Sequence, residues 1–313
     1  MMQKPSNPTP VILTPECRLI NASVAAYYIK GNKIDPSAPG YDKIGLKQGT
    51  VPTCFTRGTD QIDAGYVAET EDNWVFLVFR GTLPPFKGDF LRWVLDWLND
   101  FRLGPTTWMV NNKSFGQAET GFASALLDLW PQALAALKRI NLPAKKGIIV
   151  TGHSKGAAMS FLAASLLKGQ YFSNLLVEVC CFAAPLTTDR TFRDNYNKLG
   201  LRPLSVRYQN EYDIVPFLPY VPTWDVLAAV ERLSNDSRAN AMITDTLRQQ
   251  AIENDYVAMG ILRYITTKCA IEYGEQAAND AWKALEDALL HFRFTEIVDA
   301  HAARGRYLTC VCS

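Results

Sequence analysis

Few features of this sequence point outward from a folded core. No apolar run approaches the eighteen or so residues of a membrane span, so no transmembrane segment is expected. Residues 1–17 lack the charged start and apolar centre of a cleaved signal, and Pro5, Pro8 and Pro10 interrupt them. The expectation is a cytoplasmic protein, or one exported by a route without a cleaved N-terminal signal. Lys plus Arg number 32 against 31 Asp plus Glu, and no basic block occurs, which argues against a nucleic-acid footprint. Histidine is scarce: His153, His291 and His301 are all there is. The seven cysteines are odd in number, and two of them sit in an apparent buried strand, so reduced core cysteines are expected rather than a disulfide framework. Cys310-Val311-Cys312 is too sparse for a metal centre, and neither a metal nor a cofactor is expected. There is no internal repeat, low-complexity tract or clear linker.

What is present is a core: 48% of the residues are hydrophobic, and 313 residues fit one α/β domain with insertions. The chain is organised around 147–158, GIIVTGHSKGAA. A β-branched apolar run enters a Gly-x-Ser-x-Gly turn, and a small-residue, helix-favouring run leaves it. This strand–turn–helix context predicts a nucleophile elbow, with the Ser154 hydroxyl presented above a sheet. Gly152 and Gly156 lack a Cβ, so strand and helix can close around the serine. The plainer alternative is a serine on a glycine turn with no chemistry.

The rest of the chain supports the same layout. Helices are expected over 15–30, 120–140, 189–199 and 277–292, and strands over 50–56, 61–69, 73–79, 175–182 and 204–208. The segment 256–266 also reads as strand, turning near Gly260. Continuous apolar runs such as NWVFLVF (73–79) and LLVEVCCF (175–182) suit strands buried on both faces. Strands alternating with helices predict a mostly parallel sheet with right-handed crossovers. The three prolines within 215–222 exclude regular structure there.

A serine hydroxyl needs a base to take its proton, and the base needs an orienting acid. In this fold class the chain order is Ser, then Asp or Glu, then His. Asp213 follows the 204–208 strand and opens a proline-rich loop, the place where such an acid belongs; alone it could be an ordinary loop aspartate. His153 precedes the acid and neighbours the nucleophile, so its side chain is expected to point elsewhere, in a packing and hydrogen-bonding role. His291 reads as mid-helix. His301 reads as lying in a break after that helix and is preferred as the base, because loops carry function more often than helix interiors.

A second stretch, 86–101 (FKGDFLRWVLDWLNDF), places Phe90, Trp93, Val94, Trp97, Leu98 and Phe101 on one helical stripe and acidic residues opposite. Pro84-Pro85 and Gly104-Pro105 bound it. It reads either as a lid over the site or as a fixed core helix. The charged, helical segment 223–254 reads as a cap insertion within a single domain spanning 1–313.

Together the pieces resemble the class 3 lipases, an α/β-hydrolase family that includes the filamentous-fungal triacylglycerol lipases. Val78-Phe79-Arg80-Gly81-Thr82 resembles the family's strand ending in Phe-Arg-Gly-Thr. Trp97-Leu98-Asn99-Asp100 is similar to its Trp-x-x-Asp, and Gly121-Phe122 to the start of its next helix. The elbow 152–156, the Phe182-Ala183-Ala184-Pro185 strand end and the DIVPFLP loop at 213–219 follow in the family's order. The resemblance implies an oxyanion hole made by Thr82 and by the backbone N–H of Lys155. It also places the lid directly after the oxyanion residue. Four departures stand out. Glu119 replaces the family's usual His, Ala157 replaces a glycine, and Tyr212 replaces an Asn before the acid. Lys155 sets an ammonium beside the nucleophile, where it is expected to alter substrate charge preference.

The implied function is hydrolysis of lipid esters through Ser154, His301 and Asp213, the partner being a lipid or ester substrate at a lipid–water interface. The alternatives are a phospholipase A1 or short-chain esterase, such as an exported bacterial effector, or an inactive lipid-binding relative.

Overall fold

In a computed structural model, residues 15–58, 61–82, 104–218 and 255–313 are described. The strands are β1 (Ile29–Lys30), β2 (Lys33–Ile34), β3 (Thr53–Arg57), β4 (Asp63–Glu69), β5 (Val75–Phe79), β6 (Pro105–Val110) and β7 (Lys113–Glu119). They continue with β8 (Ile148–His153), β9 (Val177–Phe182), β10 (Thr188–Asp189), β11 (Ser205–Asn210), β12 (Tyr256–Val257), β13 (Ile261–Ile265) and β14 (Ile271–Glu272). The helices among the described residues are α1 (Pro15–Ala26), α2 (Thr120–Lys138), α3 (Lys155–Leu166), α4 (Arg190–Lys198), α5 (Gly274–Leu290), α6 (Phe294–His301) and α7 (Leu308–Val311).

The central sheet has eight strands in the order β14-β13-β11-β9-β8-β5-β4-β3. The five inner strands, β13, β11, β9, β8 and β5, run parallel. β3 and β4 are antiparallel at one edge, and β14 is antiparallel at the other. This is the expected mostly parallel α/β-hydrolase sheet. The continuous apolar runs arise because both faces are covered. Val75, Leu77 and Phe79 of β5 pack with α2 and α3, while Phe76 and Val78 pack with α1 and the C-terminal turn of the chain. β9 divides in the same way, Cys181 facing the first layer and Cys180 the second. No helix among the described residues is long and apolar enough to cross a membrane.

The structure adds a second, four-stranded sheet, in the order β12-β10-β7-β6. Its main hairpin, β6–β7, turns through Asn111 and Asn112, both with positive φ (52° and 59°). Two such residues make the primed turn whose twist matches paired strands, and asparagine tolerates it better than most side chains. The region 106–119 carried no sequence-based assignment.

The cysteines correct the sequence reading. Cys17 is bonded to Cys312, and Cys269 to Cys310. The free cysteines are Cys54, Cys180 and Cys181. The expected buried thiols are therefore real at 180 and 181, but the Cys-Val-Cys pair at the C-terminus is a double staple. One arm reaches the N-terminal helix and the other the loop after β13. The closed loops span 295 and 41 residues in sequence. Denatured, non-reduced protein should therefore show three titratable thiols, rising to seven after reduction. Removing either bond should cost about 2–5 kcal/mol of stability, read by chemical denaturation. Seven free thiols in the unreduced protein would contradict this pairing.

Candidate active site

β8 delivers the chain to Ser154 and α3 takes it away. Ser154 adopts φ 58° and ψ −126°, a sparsely populated conformation for a residue with a side chain. Its amide donates to the Phe182 carbonyl at 3.0 Å, and its carbonyl accepts from Ala157 N at 2.9 Å, so the turn is held on both sides. The two elbow glycines are required by contact. A Cβ on Gly152 would lie 2.4 Å from the Gly156 carbonyl carbon, and one on Gly156 would lie 2.2 Å from the Phe79 oxygen. Ala157, where the family has a glycine, is fully buried, so its methyl is accommodated.

His301 Nε2 lies 3.0 Å from Ser154 Oγ, and His301 Nδ1 lies 3.1 Å from each oxygen of Asp213. The carboxylate can only accept, so Nδ1 carries the proton and Nε2 is left to accept from the serine hydroxyl. Asp213 is completely buried. A carboxylate out of water must be matched by donors. Besides the imidazole, Val215 N donates to Oδ1 at 3.0 Å and Tyr307 Oη donates to Oδ2 at 2.7 Å. Asp213 sits just past β11, after Tyr212, whose φ of 72° turns the chain.

The histidines differ from expectation in local structure. His301 is the last residue of the short helix α6, not part of a break. His291 is not mid-helix: it caps the C-terminal end of α5, is well exposed, and pairs with Asp287 at 3.0 Å. The structure thus brings His301, and not His291, to Ser154. His153 points away from the serine hydroxyl as expected, with Nδ1 2.8 Å from Tyr27 Oη and Nε2 2.8 Å from the His301 carbonyl.

Thr82 follows β5 beside the elbow. The missing Cβ of Gly81 would lie 2.6 Å from the His153 carbonyl and 3.2 Å from Ser154 Cβ, so the Arg80-Gly81-Thr82 turn packs directly against Ser154. Thr82 Oγ1 is buried without a hydrogen-bond partner among the described residues. Lys155 corrects an expectation. Its ammonium is bound to Asp63 Oδ1 at 2.6 Å, with both side chains mostly buried, so its charge is balanced by β4. Phe90, Trp93, Val94 and Trp97, and the segment 223–254, lie outside the described residues.

Two tyrosines and an asparagine escaped the sequence reading. Tyr307 accepts from Asn210 N at 3.0 Å while donating to Asp213, and burial together with the Asp213 charge pushes its hydroxyl well above the usual range. Asn210 Nδ2 donates to the Ala300 carbonyl at 2.9 Å, tying the end of β11 to the residue before His301. Tyr27 stands in the turn after α1. A lone aromatic gives no pattern to read. Asn210, three residues before Asp213, belongs to no motif that would single it out.

Glu119 is a helix cap. Its carboxylate accepts from Gly121 N at 2.9 Å and Phe122 N at 2.8 Å, the first amides of α2. Burial raises its pKa to about 7, against the lowering effect of those two bonds. The signal was legible: an acidic residue directly before a helix, whose first turn presents backbone donors. The native state holds this proton more tightly than the unfolded chain. Stability contributed here is therefore lost as pH rises from the ordinary carboxyl range through about 7. Wild type should lose up to about 3 kcal/mol relative to Glu119→Gln between pH 5 and pH 8. Urea unfolding at the two pH values checks this; parallel pH dependences would contradict it.

Comparison with known proteins follows the same lines. The class 3 lipase family model matches residues 76–223. The chloroplastic phospholipase A1 DAD1 of Arabidopsis thaliana is 29% identical over 181 residues, covering 50% of this chain. The chain spans only 38% of the length of that relative. Among solved structures, the Rhizomucor miehei lipase in its propeptide complex superposes with a TM-score of 0.61 at 18% identity, covering 91% of this chain and 78% of its own. The mono- and diacylglycerol lipase of Aspergillus oryzae gives 0.56 at 20% identity, covering 85% and 87%. With the sheet order and the elbow already described, the chain is similar to the class 3 lipases over residues 76–223 and has the α/β-hydrolase fold.

Proposed function

We propose that this protein hydrolyses lipid esters by acyl transfer through Ser154. The observation that carries the reading is the unbroken array from Ser154 Oγ to His301 to Asp213, at 3.0 and 3.1 Å. Ser154 Oγ attacks the ester carbonyl carbon while its proton passes to His301 Nε2. The imidazolium that forms is stabilised by Asp213, which stays ionised. The carbonyl oxygen becomes an oxyanion beside Thr82 and the Lys155 N–H, and each such donor is worth about 3 kcal/mol. The orphaned, buried Thr82 hydroxyl supports this assignment, since a polar group without a partner is costly unless a ligand completes it. The tetrahedral intermediate collapses, the ester C–O bond breaks, and His301 returns its proton to the departing alcohol. Water then repeats the sequence on the acyl-enzyme, releasing the acid and restoring Ser154.

The pairing of Lys155 with Asp63 balances the ammonium next to the nucleophile, so Lys155 itself does not select an anionic substrate. A phospholipase A1 reading is favoured by one specific observation, the similarity to the Arabidopsis phospholipase A1. The intact array weighs against an inactive lipid-binding relative. Two disulfides fit an oxidising environment better than a reducing cytosol, which supports the exported alternative.

Ser154→Ala and His301→Ala should each lower kcat by about 10⁴-fold or more, and the double variant should be little worse, because the groups act as a unit. His291→Ala should stay within about tenfold of wild type. A panel of p-nitrophenyl esters, triacylglycerols and phospholipids assigns the substrate. An active Ser154→Ala, or a His291→Ala loss larger than that of His301→Ala, would refute the assignment.

A further inference from the structure

The residue before the nucleophile makes two hydrogen bonds that hydrolysis itself does not require. His153 Nε2 lies 2.8 Å from the carbonyl oxygen of His301, and Nδ1 lies 2.8 Å from Tyr27 Oη. A carbonyl oxygen only accepts, so Nε2 must carry the proton. Neutral imidazole then has a bare Nδ1, and Tyr27 must donate to it. Both ring nitrogens are therefore committed, and only one tautomer satisfies both partners. The surroundings keep the ring neutral. Burial, followed by the adjacent His301, holds its pKa well below the ordinary histidine range. Burial likewise pushes the Tyr27 hydroxyl above its usual range, so it remains a donor.

The bond from Nε2 ends on the backbone of the base, not on its side chain. His301 is the last residue of α6, so its carbonyl lies at the C-terminal end of that helix. His153 satisfies it with a donor from the chain position next to Ser154. The two imidazole rings also lie against each other, with centroids 4.7 Å apart, and Tyr307 meets His153 edge-on at 5.7 Å. The nucleophile and the base, 147 positions apart in sequence, are thus joined twice. One link is the bond that moves the proton. The other runs through His153 and carries no proton in the reaction.

We propose that His153, locked as its Nε2–H tautomer by Tyr27, is a positioning residue that fixes the backbone of His301 relative to Ser154. The proposal rests on the reading of Ser154 and His301 as nucleophile and base. His153 does not touch the substrate, so its loss should appear in kcat and not in KM. A misplacement of about 1 Å at a reacting group can cost about 10²-fold in rate. His153→Leu keeps an apolar filling but removes the donor, and its kcat should fall about 10²-fold with KM within twofold. His153→Gln places an amide N–H near the position of Nε2 and should recover kcat to within about tenfold of wild type.

The experiment measures kcat and KM on a soluble p-nitrophenyl ester for wild type, Ser154→Ala, His153→Leu and His153→Gln. It is accompanied by ¹⁵N NMR of the histidine ring nitrogens in the wild-type protein at neutral pH. The expected spectrum has His153 protonated at Nε2 and bare at Nδ1. Wild-type kcat in His153→Leu, equal losses in the Leu and Gln variants, or the opposite tautomer would each overturn the proposal. The NMR arm holds even where a variant fails to fold. An active Ser154→Ala would instead refute the nucleophile itself, whatever the His153 variants do.

Discussion

One buried negative charge organises the rear of this site. Asp213 has no contact with water, and a carboxylate in that position is tolerable only with donors on both oxygens. They come from three places: His301 at the end of α6, Tyr307 in the turn before the C-terminus, and the Val215 amide in Asp213's own loop. Each donor has to be brought from a different part of the chain. The tertiary arrangement of the last fifteen residues can be read as the answer to that demand. Tyr307 is itself fixed by the Asn210 amide at the end of β11, and Asn210 in turn holds the Ala300 carbonyl. Asp213, His301 and β11 therefore form one hydrogen-bonded unit.

The chain termini complete it. α1 packs on the same face of the sheet as the C-terminal turn, and the two are joined covalently through Cys17 and Cys312. Cys310, two residues earlier, is bonded to Cys269 at the far edge of the sheet. The segment that carries His301 and Tyr307 is thus pinned just beyond its end from two sides. Tyr27, in the turn after α1, reaches the same centre through His153. Ser154 depends on local backbone geometry, the positive φ and the two glycines of the elbow. His301 and Asp213 depend on contacts between residues far apart in sequence.

That division explains what the sequence disclosed. The elbow was legible because its strand, turn and helix are contiguous and its glycines are demanded: an added Cβ would collide with Phe79 or with the facing glycine. The buried strands were legible because a sheet covered on both faces needs unbroken apolar runs, as in β5 and β9. Asp213 was legible from its place after β11. The disulfides were not, because an odd cysteine count and two adjacent buried thiols at 180 and 181 suggest a reduced protein, and pairing over 295 positions leaves no local mark. Tyr27 and Tyr307 were invisible for the same reason. His301 reads as lying in a break because α6 has only eight residues and follows a bend at Phe292, where φ is 57°. The Lys155 charge was misjudged because its partner, Asp63, lies on a strand 92 positions earlier. The β6–β7 hairpin was readable in principle, from Asn111-Asn112 between alternating residues.

The central claim is that Ser154, His301 and Asp213 act together on an acyl group. The most direct measurement is a crystal structure after reaction with a p-nitrophenyl alkylphosphonate, which stands in for the tetrahedral intermediate of ester hydrolysis. The expected result is a covalent bond from Ser154 Oγ to phosphorus. One phosphonate oxygen should accept from Thr82 and the Lys155 N–H, and His301 Nε2 should remain within hydrogen-bond distance of the adduct. Phosphorus on another residue, or an unmodified Ser154 with the reagent consumed, would contradict the claim.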